Sequence, residues 1–176
     1  MKIWKHTRST YLLLVLFLFT GTFFSACKQE KPDKAALTKA NIKLYTEVWD
    51  QIINKGKLHL INDTNFTKDL VMHEGKLDVV GLDSARAYYA NFITGFTNIH
   101  FTINAVFGDG DKIVKYWNFT GTHSGTFFGI ERTGRAINIE GVTLVRMDNG
   151  KIAEERDFID KLELMQQLGQ LPRNDE

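Results

Sequence analysis

Cysteine occurs once in the 176 residues, at Cys27. No intramolecular disulfide is available, so the fold must rest on its core. Metal chemistry has little to draw on. Outside the N-terminal segment the histidines are His59, His73, His100 and His123. None pairs at ligand spacing with another histidine or with cysteine, and there is no HExxH, so no metal is expected. The chain has no Gly-x-Ser-x-Gly elbow and no glycine-rich phosphate loop after a strand. Gly108-Asp109-Gly110 reads only as a turn. Basic residues form no cluster, which argues against nucleic acid as a partner, because neutralising phosphates needs a basic face. No internal repeat is present.

The one long apolar run, residues 11–24, is too short for a confident membrane span. Lys2, Lys5 and Arg8 precede it, and Phe24-Ser25-Ala26-Cys27 follows. A basic start, an apolar stretch and small residues before a cysteine resemble a bacterial lipoprotein signal. Such a signal implies removal of residues 1–26, lipidation of Cys27 and a lipid-anchored place in the cell envelope, periplasmic or surface-exposed. An uncleaved anchor and plain secretion remain the alternatives. Without Lys2, Lys5 and Arg8, the 22 basic residues become 19 against 21 acidic ones, a balance of −2. Residues 27–34 are polar and contain Pro32, a short tether. Residues 35–176 are enough for one domain, which at that size buries roughly 68–70% of its unfolded surface.

Helical spacing starts the domain. Ile42, Tyr45, Trp49 and Ile52 recur at intervals of three and four, and Gly56 suits a left-handed cap. A short helix is expected over residues 58–62 and an extended piece over 70–74. The next helix starts near Asp83-Ser84 and buries Ala85, Tyr88 or Tyr89, Phe92 and Phe96. From Ile99 the period changes to two. Strands are expected at 99–107, 112–123, 137–147 and 151–159, joined in part by Gly108-Asp109-Gly110 and Asp148-Asn149-Gly150 turns. Helices followed by an antiparallel meander give an α+β fold, a curved sheet against about three helices with a pocket between.

Chemistry points to the last strand. Ala153, Glu155, Asp157 and Ile159 share one face; Ile152, Glu154, Arg156 and Phe158 share the other. Each face has two apolar members, so alternation leaves open which is inside. Two carboxylates two residues apart lie roughly 7 Å apart on one face. In an apolar cleft each raises the other's pKa, which suits a general base near neutral pH. On a solvated edge they do nothing of the kind. Asp160, with Glu163 three residues on, reads as a helix N-cap. His123 sits in Gly121-Thr122-His123-Ser124-Gly125, either as a hydrogen-bonding or proton-accepting group or simply to close the turn. His73 either lines a cavity mouth or is bland. Trp49, Tyr88, Trp117 and Phe127 are core or ligand platform. Val142, Leu144 and Phe158 make an apolar outer face, for which a homodimer is expected.

Three pieces of the chain, EVWDQ at 47–51, GTHSGTFFGIERTGR at 121–135 and DNGKIAEERDFID at 148–160, with MQQLG at 165–169, carry a wider likeness. Over residues 41–171 the chain resembles the SnoaL-like polyketide cyclases, or ester cyclases, of the nuclear-transport-factor-2-like superfamily. Family members usually have two prolines where Glu131-Arg132 stands, and cyclases of known chemistry often carry a histidine where Thr143 stands. The resemblance implies a cone-shaped domain that binds a mostly apolar small molecule and works without a cofactor. It turns Asp157, and Glu155 with it, toward the cavity and makes Asp157 the base. Proton removal then leads to aldol-type ring closure or isomerisation, with His123 or Tyr88 steadying the enolate oxygen. Trp49, His73, Tyr88, Trp117, Phe127, Thr143 and Glu155 are the implied ligand contacts. The competing expectation is an envelope lipoprotein that binds a small molecule and does no chemistry, or one with an assembly role only.

Overall fold

The computed structural model describes residues 33–75 and 77–172. The expected signal segment, its cleavage site, Cys27 and most of the tether lie outside the described residues. The first helix, α1 (Lys34–Lys55), begins one residue before the expected domain start. Asp33 caps it, its Oδ1 accepting from the Ala35 N–H at 3.0 Å. Tyr45, Val48, Trp49, Ile52 and Ile53 form its buried face. Ile42 is only half-buried; the neighbouring Asn41 is buried instead, donating from Nδ2 to the Gly110 carbonyl at 2.9 Å. Gly56, at φ 64°, ends the helix in the left-handed conformation that glycine adopts without penalty.

The expected second helix is a single 3-10 turn, Leu58–Leu60. Strand β1 (Phe66–Glu74) is longer than expected and is followed by a strand the sequence pattern did not reveal, β2 (Leu77–Val80). Helix α2 (Leu82–Gly95) starts after Gly81, not at Asp83-Ser84, and no side chain caps it. Asp83 instead pairs with Arg86 one turn later. Phe96, expected on that helix, opens β3 (Phe96–Asp109) and is buried there. Then come β4 (Lys112–His123), β5 (Ala136–Asp148), β6 (Lys151–Ile159) and α3 (Lys161–Gln167). Asp160 caps α3 as expected, accepting from the Glu163 N–H at 3.0 Å.

The curved sheet runs β2-β1-β6-β5-β4-β3. The meander β3 to β6 is antiparallel, but β1 joins β6 in parallel, so the sheet is mixed rather than wholly antiparallel. Strict alternation on β4 and β5 points Ile113, Lys115, Trp117, Thr143 and Val145 inward. On the opposite face Leu144 and Phe158 are 44% and 53% exposed, and Val142 is half-buried. The α1–sheet contact is fixed by Asn54, whose Nδ2 donates to the Phe101 carbonyl at 2.9 Å while its Oδ1 accepts from the Phe101 N–H at 2.7 Å.

Strand β6 departs from simple alternation. Met147 pairs with Ile152 but Arg146 pairs with Glu154, leaving Ala153 as an extra residue. This bulge resets the pleat. Ile152, expected on the outer face with Glu154, is fully buried, and so are Ala153 and Glu155. The bulge delivers two acids, Glu155 and Asp157, to the concave side.

Candidate active site

A row of three residues crosses the concave face. Lys115 on β4 stands opposite Thr143 on β5, and Thr143 stands opposite Asp157 on β6. The Trp117 indole Nε1 donates to Thr143 Oγ1 at 2.9 Å, and the Thr143 hydroxyl donates in turn to Asp157 Oδ1. Because the indole only donates, the Thr143 proton must point at Asp157. The carboxylate is thereby held as an acceptor with its orientation set. Gly141 makes this possible: a Cβ there would lie 2.4 Å from Trp117 Cζ2, so the indole occupies the space of a missing side chain.

Glu155 lies one step along β6, 2% exposed. Tyr45 OH donates to its Oε1 at 2.6 Å, while Oε2 has no partner among the described residues. Burial pushes the Glu155 pKa to about 7; Asp157 adds to the rise, and Lys115 and Tyr45 oppose it. Tyr45 is itself pushed up, by burial and then by the Glu155 charge.

Lys115 is 5% exposed. Its ammonium lies 5.1 Å from the ring centres of Tyr45 and Phe101, 5.3 Å from that of Trp49 and 5.9 Å from that of Trp117. Among the described residues Nζ makes no hydrogen bond and no ion pair within 4.0 Å. Ring faces stabilise a cation by about 0.5–2 kcal/mol. Withdrawing an ammonium from water costs several kcal/mol, which acts against them. The balance agrees with a Lys115 pKa below its ordinary value, lowered by burial against the pull of Asp157 and Glu155.

These groups meet at a cavity between α1, α2 and the sheet, with a volume of about 60 Å³, room for a few waters or a small ligand fragment. Trp49, Tyr88, Lys115, Trp117 and Asp157 all line it. Glu74 on β1 and Tyr88 on α2 also reach it; burial raises both their pKa values, Glu74 pushes that of Tyr88 further up, and Tyr88 holds that of Glu74 down. Thr143 and Glu155 sit behind this lining, Thr143 holding Asp157 and Glu155 meeting Tyr45.

Three further expected residues are not brought to the cavity wall either. His123 is fully buried in an aromatic cluster, 5.3 Å between ring centres from Phe96. Its Nδ1 accepts from the Thr133 N–H at 3.3 Å and lies 3.0 Å from Thr133 Oγ1, so it closes the 124–135 loop. Burial lowers its pKa. Phe127 packs in the same cluster, 4.9 Å from Phe96 and 5.0 Å from Phe92. His73 binds Asp78 Oδ1 at 2.8 Å and Glu154 Oε1 at 2.9 Å, and Glu154 belongs to the other side of β6. Among the described residues no group of three acids, histidines or cysteines is placed to hold a metal.

Lys115 was missed in the sequence, although the signal was there. Ile113, Lys115, Trp117 and Phe119 alternate on β4, so a lysine occupies an inward register between large apolar residues. Glu74 had no comparable signal, because it comes from the β1 segment where periodicity is weak.

The model of the family described as SnoaL-like polyketide cyclase matches residues 42–168. Among curated proteins nothing matches the chain. Solved structures similar to it include one from Jannaschia sp. CCS1 assigned as a SnoaL-like polyketide cyclase, at 21% identity and a TM-score of 0.69 over 81% of this chain and 100% of that one. TsrD from Streptomyces laurentii is 22% identical with a TM-score of 0.68, over 76% of this chain and 98% of that one. AclR from Streptomyces galilaeus, assigned as a hydroxylase, is 21% identical with a TM-score of 0.66, over 77% and 99%. At such identities the likeness is one of fold, the cone-shaped α+β architecture, and a fold by itself does not fix a chemistry.

Proposed function

The chain belongs to the SnoaL-like polyketide cyclase family, and on that footing we propose that its cavity binds a small, mostly apolar carbonyl compound on which Asp157 acts as a general base. The observation that carries this reading is the Trp117–Thr143–Asp157 relay. It aims a carboxylate into an apolar cavity while leaving its second oxygen free to take a proton. Removing a proton next to a carbonyl builds charge on the carbonyl oxygen. Tyr88, at the cavity wall with its pKa raised by burial, stays a phenol and can donate to that oxygen. His123 has no part in this reading, since it lies in the aromatic cluster. Ring closure or isomerisation would follow from the enolate according to the substrate. No step requires a cofactor.

A positioned base contributes about 10²–10⁴ in rate. Asp157→Asn keeps an acceptor for Thr143 but cannot take a proton. It should fold normally and bind ligand, and should lower protein-dependent deuterium uptake at the activated carbon of β-keto esters, followed by NMR, by about 10²-fold or more. Unchanged uptake in the variant would remove Asp157 from the role. A wild type that gives no uptake above the buffer rate, but is purified with an apolar molecule bound, would favour the binding-only reading.

The envelope setting is part of the same proposal: lipidation at Cys27, and a homodimer through the outer sheet face where Leu144 and Phe158 are exposed. Two preparations test the two halves. Protein extracted from membranes should carry acyl chains on an N-terminal Cys27 by mass spectrometry, and light scattering of the Cys27→Ser domain should give twice the chain mass. An unmodified Cys27 or a monomeric mass would refute the respective half.

A further inference from the structure

We propose that Lys115 is a nucleophile of this cavity, whose side-chain amine condenses with the carbonyl group of a small ketone or aldehyde to form a covalent imine. The inference rests on the reading of the cavity as a carbonyl site but not on Asp157 being its base.

An imine-forming lysine must meet four demands, and Lys115 meets each. It must reach the ligand: Lys115 lines the cavity. It must not be tied up: Nζ makes no hydrogen bond or ion pair among the described residues, although it is 5% exposed. It must spend time as the neutral amine: it is buried, no carboxylate or other acceptor holds an ammonium proton within hydrogen-bond distance among the described residues, and burial lowers its pKa although four ring faces at 5.1–5.9 Å favour the cation. It must share the cavity with an acid or base: Asp157, two strands away in the same cross-strand row, lines the cavity as Lys115 does. The groups facing Lys115 are therefore Asp157 and Glu155 from the sheet and Tyr45 from α1. The two carboxylates favour the ammonium, and burial outweighs them.

The step balances without any further reagent. The neutral Lys115 amine adds to the carbonyl carbon, forming the C–N bond. A neighbouring carboxyl group gives a proton to the oxygen, and the nitrogen loses one to the carboxylate so formed. The resulting carbinolamine loses its oxygen as water when a second proton is delivered, leaving the iminium, which becomes the neutral imine when its nitrogen returns that proton to the carboxylate. Nothing is oxidised or reduced. The iminium form is a stronger electron sink than the ketone, so it would serve the same proton removal that the cavity's carboxylate is placed to perform.

Acetylacetone is the probe. Reactive amines convert it to a stable conjugated enaminone, adding the mass of the diketone less one water. At neutral pH and limiting probe, peptide mapping should find the first adduct on Lys115, at least tenfold faster than on exposed Lys43 or Lys57. Urea-unfolded protein should lose that preference. Lys115→Met fills the same space without the amine; if folded by circular dichroism, it should lack the enaminone absorbance. Should that variant not fold, the wild-type labelling map alone decides. Labelling of Lys115 no faster than of the exposed lysines overturns the proposal. The Asp157→Asn deuterium experiment reads a different atom, so failure of the base assignment and failure of the imine assignment are separate results.

Discussion

Between pH 4.5 and pH 7 the wild-type protein should lose about 3 kcal/mol more unfolding free energy than Glu155→Gln does. The Glu155 pKa is raised from 4.5 to about 7 in the folded chain, chiefly by burial. A raised carboxyl pKa means the native state holds the proton more tightly than the unfolded chain does. The stability this brings is complete below the unfolded pKa and is gone once the pH has risen through the folded one. Glu74 is raised as well and shifts the curve the same way. Lys115 is lowered, so it acts in the opposite sense, gaining stability as pH rises toward the ordinary lysine range. The difference between wild type and variant over the stated window isolates Glu155. The amide oxygen of the substituted side chain can still accept from Tyr45, so the buried hydrogen bond survives. Urea unfolding at a series of pH values reads the result. Parallel curves for the two proteins would show that Glu155 does not hold the extra proton.

Much of this arrangement was legible in the chain, for reasons that differ by element. The meander strands were readable because alternation is strict where one face packs on helices and the other meets solvent, as on β4 and β5. Asp160 was readable because capping is local: its acceptor oxygen and the Glu163 amide lie three residues apart. Strand β2 was not, because it pairs only with β1 and has four residues, too few for a period to show. The burial of Ile152 was hidden by the Ala153 bulge, a pairing fact with no periodic trace. The site divided in the same way. The inward turn of Asp157 was implied by family likeness, since alternation could not choose a face. His123 looked functional because a histidine at a strand end between glycines has no evident packing role. Its partners, Thr133 and Phe96, come from a loop and another strand, and only the folded chain shows that they occupy it. Lys115 was legible and was missed.

Gly125→Ala should destabilise the protein by about 3 kcal/mol, more than any other single methyl added to the 124–130 loop. The Gly125 N–H and the Ser124 N–H both donate to the Gly95 carbonyl, at 3.0 and 2.9 Å, docking the loop on the end of α2. At that distance a Cβ on residue 125 would lie 2.2 Å from the Thr94 carbonyl oxygen and 3.4 Å from Gly95 Cα. The obstacle is backbone, so no rotamer change relieves it. The loop must lift from α2, and two hydrogen bonds of about 1 kcal/mol each go with it. The loss would spread. The loop carries Phe127, packed 5.0 Å from Phe92, and Phe128, packed 5.0 Å from Tyr88 at the cavity wall. Tyr88 would lose the nearest of the three rings it packs against, so the cavity should change along with stability. Gly129→Ala is the control: residue 129 has φ +82° and no atom within 4 Å of an added Cβ, so only backbone strain of about 1 kcal/mol is expected there. Chemical denaturation of both variants separates the two effects. If Gly125→Ala proved as stable as Gly129→Ala, the close approach of the loop to Thr94 would not be what holds it.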